Sequence, residues 1–591
     1  MRIQGLPELL APAGSPKALE AALNAGADAV YMGGPGFNAR ANAVNFTSDE
    51  LKSAVRDAHS MGVKIYLTLN TLVYDREMKD FLKAAEDAYL SGVDALITAD
   101  PGGAAAIHRL LPDFPLHAST QMSVHNTDAS YILAGMGFQR AVLARELSRD
   151  NIRSFTSNSP LEAEIFIHGA LCMSYSGQCL FSSVVGGRSG NRGECAQPCR
   201  LPYGTPDGRH YPLSLKDCCL AGHVTEIIDD GVASLKIEGR MKPAEYVGAV
   251  TAVWRSLLDE GRNATPDEIK YLADIFSRSG FTDGYYIGNI SRDMLGTRTE
   301  KDKQSTEHVK YKTSICSRRL PEINIPERSG SVSGYSARRP EKRRELSKMA
   351  VFYDSWQYTQ TAKNYFDIAF IPLESYKKAA ADGNAPQGVI LPPVITDSEK
   401  PAILSMLKNA RMMGATDALI GNLGHIGMVK DTSLRMHGDF RLNITNSESA
   451  AVIENLGFDD YVLSPELTLP RIRDIGGRSY GFVYGRIPLM ITEKCAGREC
   501  GGCKSCGRNF LCDRMGKKFP IKRVYPHRSV ILNCLPVYMS DKPDLLFSGG
   551  IKSEYYLFTT ETPAETDKII KAFKARSAYP LNGGCRRIQS K

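Results

Sequence analysis

The stretch "HGALCMSYSGQCLFSSVVGGRSGNRGECAQPC", residues 168–199, carries four cysteines: Cys172, Cys179, Cys195 and Cys199. Their spacing is C-x6-C-x15-C-x3-C, with many glycines and serines between them. Zinc ribbons usually pair their ligands at two tight spacings, and here only Cys195 and Cys199 form such a pair. Inert thiols belong in apolar strands rather than in a loop of small residues. Four thiolates around a larger object match the ligand count of a [4Fe–4S] cluster. Spacing alone leaves the cluster, zinc and metal-free thiols open. Cys218 and Cys219, in "SLKDCCLAG", are reserve ligands. A nucleophilic thiol would need a base, and His168 lies four residues before Cys172.

A second run, "KCAGRECGGCKSCGRNFLC", holds Cys495, Cys500, Cys503, Cys506 and Cys512. Its C-x2-C-x2-C core points to metal binding; zinc, an iron–sulfur cluster and a merely structural thiol group all stay open. The chain has 14 cysteines in 591 residues, clustered rather than scattered. Its first residues, "MRIQGLPELLAPAGSPKAL", lack the long apolar core of a secretory signal, and no 18-residue apolar window offers a transmembrane helix. We therefore expect a cytoplasmic protein with no membrane partner, where clustered thiols ligate metal rather than form disulfides.

These cysteines must be held by a scaffold, and the scaffold is periodic. Apolar strands read "ELLAPAG", "DAVYMGG", "KIYLTLN", "DALITAD", "LHASTQM", "RAVLARE", "AEIFIHG" and "ASLKIEG", with amphipathic helical patterns between them. Ser15 and Ser48 are expected N-caps, and Gly26, Gly62 and Gly92 sit where helix-ending glycines belong. Eight strands alternating with helices predict an α/β fold with a TIM-type (β/α)8 barrel over residues 1–295; a doubly wound open sheet is the alternative. Barrel enzymes place their chemistry at the C-terminal ends of the strands. Those ends offer Tyr31, Asn38, Arg40, Asn70, Asp100, His117, Gln121, Ser123, Arg145, Glu146, His168, Glu238 and Arg240. The set suits an anionic ligand, with Arg40, Arg145 and Arg240 as carboxylate or phosphate clamps. Asn38, Asn70, His117 and Gln121 complete the candidate binding set. His168, Glu146 and Glu238 are the candidate proton-transfer groups. All four cysteines of 168–199 fall in the loop after strand seven, over the same mouth.

The second half copies the first. "HASTQMSVHNTDASYILAGMGFQRAVLAREL" from His117 matches "HGDFRLNITNSESAAVIENLGFDDYVLSPEL" from His437 without gaps, pairing Asn126 with Asn446 and Glu146 with Glu466. After a four-residue deletion Gly169 pairs with Gly485 and Cys179 with Cys495, while Cys172 becomes Pro488 and Gln121 becomes Arg441. Such a repeat predicts a second, shortened barrel-like α/β domain over 351–591. Residues 296–350 would join the two. From Arg298 to Lys348 the chain has fourteen Lys or Arg against seven Asp or Glu, out of an overall net charge of +8. That stretch reads as a solvated linker or as a strap for RNA phosphates.

"EIFIHGALCMSYSGQCLFS", "ELLAPAGS", "GADAVYMGGPGFNAR", "HASTQ", "VLAREL", "NRGECAQPCRLPY" and "SLKIEGRMK" resemble the collagenase-like peptidase family U-thirty-two along the whole first domain. "GGPGFNAR" and "NRGECAQPCRLPY" look most like its branch of bacterial ribosomal-RNA cytidine hydroxylases. Sister branches hydroxylate the wobble uridine of transfer RNA or work in oxygen-independent ubiquinone hydroxylation. The resemblance implies a [4Fe–4S] cluster on the cysteines of the loop. It also implies hydroxylation that depends on prephenate, a dicarboxylate, rather than on molecular oxygen. The second domain and its own cysteine run need not belong to the branch compared.

Three functions compete. The first is a pyrimidine hydroxylase of ribosomal or transfer RNA, with an anionic co-substrate and an electron donor that the sequence does not identify. The second is a collagenase-like peptidase. No H-E-x-x-H motif supports it, although Ser119, His117 and Asp100 are available. The third is a non-catalytic, cluster-bearing scaffold that binds RNA.

Overall fold

The computed structural model describes residues 6–40, 45–205, 208–297, 321–325, 328, 332–337, 346–499 and 509–582. Each of the eight expected strands forms: Glu8–Ala13, Ala29–Gly33, Lys64–Leu69, Ala95–Thr98, Leu116–Ala118, Phe138–Val142, Glu162–Gly169 and Ser234–Ile237. All pair in parallel, and the ring closes because the eighth strand pairs with both the seventh and the first, Ser234 opposite Glu164 and Glu8. Closure rules out the open sheet. Gly26, Gly62 and Gly92 take positive φ after their helices, as expected. Ser15 caps its helix, but at the next helix Thr47 is the cap and Ser48 the first helical residue. Thr47 wins because Glu50 completes a reciprocal capping box with it.

A second ring follows, with strands Lys348–Phe352, Ile368–Pro372, Gly388–Ile390, Asp417–Ile420, Arg435–Gly438, Asp460–Val462, Ser479–Gly485 and Ser553–Phe558. Its last strand pairs with both its first and its seventh. The copy is therefore a complete eight-stranded ring, and its first strand begins at Lys348, three residues before the expected boundary. The repeat holds to the backbone: Ser123 and Asn443 are both left-handed, and Gly169 and Gly485 both have positive φ. At these two glycines a Cβ would meet a carbonyl of the neighbouring strand, Glu238 O at 2.5 Å and Leu557 O at 2.2 Å, so only glycine fits.

The barrels meet mouth to mouth. Helix Pro101–Leu110 of the first packs on helix Ser447–Asn455 of the second, and helix Asp128–Gly135 packs on the turn Leu423–His425. A six-stranded sheet then spans both domains. Pro488–Thr492, Arg528–Leu532, Lys518–Val524 and Phe510–Cys512 come from the second, Tyr203–Thr205 and Gly208–His210 from the cysteine-rich insertion of the first. Most of the basic stretch lies outside the described residues. Its described part lies along the first barrel, where Ile323 N donates to His59 O and Arg328 donates to Tyr89 O and Val93 O.

Candidate active site at the mouth of the first barrel

The eighth strand shows how sequence builds this site. Residues alternate across a strand, so in "SLKIEGR" Ser234, Lys236 and Glu238 share the inner face. Ser234 donates to Glu8, and Lys236 donates to Glu164 at 2.7 Å. Glu238 accepts from Arg40 at 3.1 Å and from Arg145 at 2.9 Å. The chain then curls, and Arg240 donates to Thr68 Oγ1, Asn38 Oδ1 and Asn45 Oδ1 at 2.8–3.0 Å. Charged groups thus climb from the barrel floor to its mouth.

Above them opens a cavity of about 310 Å³. Tyr31, Thr68, Ile97, Val142, Phe166 and Lys236 form its lower wall, and Asn70, Ser119 and Gln121 line one side. Cys172, Cys179, Cys195 and Cys199 all line it as well. Among the described residues, seven cationic side chains face it (Arg40, Arg145, Arg200, Lys236, Arg240, Lys242 and Arg278) against one carboxylate, Glu238. Burial would raise the Glu238 pKa, but Arg40 and Arg145 outweigh it and bring the group to about 2. Glu238 is therefore a fixed anion that orients two guanidiniums rather than a proton shuttle. Arg240 is the reverse case. It is 4% exposed, its partners named above are all neutral, and burial lowers its pKa to about 10. Among the described residues, the Nε atoms of Arg240 and Arg145 find no hydrogen-bond partner although both are buried. Both cations retain capacity for an anion.

The cysteine loop is wedged between the barrels. Tyr175 N donates to Ile491 O and Leu180 N to Leu489 O, so strand Pro488–Thr492 of the second barrel braces the loop. Met490 from that strand reaches the cavity wall. Burial raises the thiol pKa of Cys179, and of Cys199 to about 12. Among the described residues no three His, Cys, Asp or Glu side chains gather as they would around one metal ion. The four sulfurs are spread around a cavity, a donor set suited to a polynuclear group. Cys218 and Cys219 are buried, and neither lines this cavity; Cys218 faces a smaller one beside Tyr285. In the second run Cys495 accepts from Ser529, and Cys512 sits opposite Gly204 in the shared sheet. Cys500, Cys503 and Cys506 lie outside the described residues.

The other expected residues divide. Arg40, Asn70, Gln121, Arg145, Glu238 and Arg240 reach the cavity. Asn38 does not line it but holds Arg240 and the turn at Gly34. His117 is buried against Tyr66, ring centroids 4.8 Å apart, with its pKa lowered by burial and Arg140. His168 stands outside the wall, packed on Phe281 and Tyr246, and burial lowers its pKa to about 3. Strict alternation from Phe166 would have turned it inward. A register shift opposite Lys236–Ile237 adds a residue at Ile167 and turns His168 out. Glu146 is buried toward the second barrel, and burial with Glu493 nearby raises its pKa to about 8. Neither His168 nor Glu146 lines the cavity. Lys236 and Phe166, which are not among those strand-end residues, also line the cavity. The alternation in "SLKIEGR" could have found Lys236, whereas nothing local points to Met490.

Fold and site together define an α/β barrel protein whose mouth presents a cavity lined by cationic side chains and rimmed by four thiols. The model of Peptidase family U32 matches residues 14–295 and 370–508, and the chain belongs to that family. It is 45% identical over 259 residues to the 23S rRNA 5-hydroxycytidine C2501 synthase of Escherichia coli, covering 43% of this chain and 39% of that protein. It is 40% identical over 269 residues to tRNA hydroxylation protein P1 of Bacillus subtilis, covering 43% and 63%. It is 36% identical over 311 residues to a protein named Collagenase from Porphyromonas gingivalis, covering 48% and 73%. The match thus spans less than two thirds of either RNA-hydroxylation relative.

Proposed function

We propose that this protein hydroxylates a pyrimidine base of ribosomal or transfer RNA in the cytoplasm, using an iron–sulfur cluster and a small dicarboxylate of the prephenate type. One observation carries the reading: four thiols and a surplus of guanidinium groups share one cavity at a barrel mouth. The names of the two RNA-hydroxylation relatives agree with it. Cys172, Cys179, Cys195 and Cys199 would hold the cluster, which when bound supplies one-electron chemistry at the rim. Arg240 and Arg145 would hold the carboxylates of the co-substrate through their unused donors. Asn70, Ser119 and Gln121 offer hydrogen bonds to a base edge. A base reached by such a cavity must be unstacked, so the target is a single-stranded or splayed nucleotide.

Nothing in the cavity favours peptidase chemistry. Ser119 Oγ accepts from Asn70 and from the Gln121 backbone, and His117 lies below, packed on Tyr66, so the two do not form a nucleophile–base couple. The test is mass spectrometry of ribosomal and transfer RNA nucleosides from a strain lacking the gene. A hydroxylated pyrimidine should disappear, return with the wild-type gene, and stay absent with Cys172→Ser or Arg240→Gln. An unchanged nucleoside profile in the deletion strain would sink the proposal.

A further inference from the structure

With His168 and Glu146 outside the cavity and Glu238 locked between arginines, the buried amine among its lining groups, that of Lys236, has no role. It lines the cavity, is 4% exposed, and stands one residue before the end of the eighth barrel strand. Its Nζ is 2.7 Å from Glu164 Oε1 and 4.3 Å from the centre of the Tyr31 ring. The Phe166 ring links it to Arg145: the amine lies 5.5 Å and the guanidinium carbon 3.8 Å from the same ring centre. Among the described residues, Arg145 Nε finds no hydrogen-bond partner. An amine beside a carboxylate, with a guanidinium across one ring, matches a ligand that carries a ketone next to a carboxylate.

We propose that Lys236 forms an imine with a 2-oxo carboxylic acid whose carboxylate is held by Arg145. Glu164 accepts one proton from the ammonium, and the freed amine adds to the ketone carbon. A proton moves from nitrogen to oxygen, giving a carbinolamine. Its hydroxyl takes back the proton from Glu164 and leaves as water, and a C=N bond remains as the iminium. The C=O double bond of the ketone is exchanged for a C=N double bond, two N–H bonds give way to the two O–H bonds of water, and no electrons are gained or lost. Burial lowers the pKa of Lys236 while Glu164 opposes it, as a lysine that must shed a proton requires. The inference rests on the proposed function in placing an organic anion in this cavity, and adds that the anion is a 2-oxo acid held covalently.

The experiment uses the full-length protein with pyruvate as probe. Sodium borohydride added to the complex converts an imine to a stable secondary amine, and peptide mass spectrometry locates it. We expect one saturable adduct on Lys236 in the wild type and none there in Lys236→Arg. Glu164→Gln should slow its formation at least tenfold while leaving the circular dichroism spectrum unchanged. The absence of an adduct in the wild type overturns the proposal. So does labelling spread over exposed lysines, or an adduct that persists elsewhere in Lys236→Arg. Trapping needs neither RNA nor metal, so its failure would leave the hydroxylase reading standing. An adduct together with an unchanged RNA profile would remove that reading alone.

Discussion

Asn126 of the first barrel and Asn446 of the second occupy equivalent places, and each ties its own barrel to the other. Asn126 Oδ1 accepts from Ala129 N, while its Nδ2 donates to Ile395 O and Gly424 O across the interface. Asn446 Oδ1 accepts from Ser449 N, while its Nδ2 donates to Val73 O and Asp100. Replacing either by Ala removes a local helix-start bond worth about 1 kcal/mol and strands buried acceptors at about 1–3 kcal/mol. Each variant should lose about 2–4 kcal/mol in urea denaturation. A loss under about 0.5 kcal/mol at both sites would show that the interface is not held this way.

Glu238 neutralises part of the cavity, and its removal separates binding from stability. In Glu238→Gln, Arg40 and Arg145 lose their shared counter-charge. Inorganic phosphate should then bind more tightly by roughly tenfold in isothermal titration. The stability effect has the opposite sign. The folded pKa is about 2 against an ordinary 4.5. A depressed carboxylate stabilises above its unfolded pKa and loses that contribution as pH falls through the folded one. The wild type should therefore lose about 3 kcal/mol between pH 4.5 and 2 relative to the variant. Parallel unfolding curves over that range would refute the pairing.

The strands of the first ring and the repeat were legible because parallel barrel strands are apolar runs at regular intervals and the segments from His117 and His437 align without gaps. The cysteine rim and six polar cavity residues were legible for the same reason, since they sit at strand ends. What misled was phase. His168 follows Phe166 by two residues, and only the extra residue at Ile167 turns it outward, a backbone event that no side-chain pattern records. Glu146 lies beyond the end of its strand, where alternation no longer applies, and the second barrel claims it. Met490 reaches the cavity from more than 300 residues downstream of Cys172, a contact only tertiary packing can create.

Glu146 supplies a pH signature of the barrel interface. Burial, aided by Glu493, raises its folded pKa to about 8 from the ordinary 4.5. A raised folded pKa means that stability is fully present below pH 4.5 and falls as pH rises to about 8, by roughly 1.4 kcal/mol per unit at most. Glu146→Gln has no proton to lose. It should match the wild type at pH 4.5 and exceed it progressively up to pH 8, with a constant gap beyond. A variant whose urea midpoint tracks the wild type at every pH would show that Glu146 titrates normally.

Two kinds of cysteine are separated by the barrel wall, and metal content should follow the separation. Cys172, Cys179, Cys195 and Cys199 line the cavity, whereas Cys218 and Cys219 are buried behind it on strand Asp217–Cys219. Protein purified without oxygen should contain iron and acid-labile sulfide in equal amounts, near four of each per chain for one cluster. Ser at any of the four cavity positions should cost most of that iron and its visible absorption. Cys218→Ala and Cys219→Ala should keep it, losing only about 1–2 kcal/mol through packing. Two clusters would double the count, and the half that survives Cys172→Ser would then belong to the run containing Cys495 and Cys512. Zinc alone in the wild type would refute the redox assignment of the cavity. Iron loss in Cys218→Ala, with the four cavity variants unaffected, would move the ligand set behind the wall.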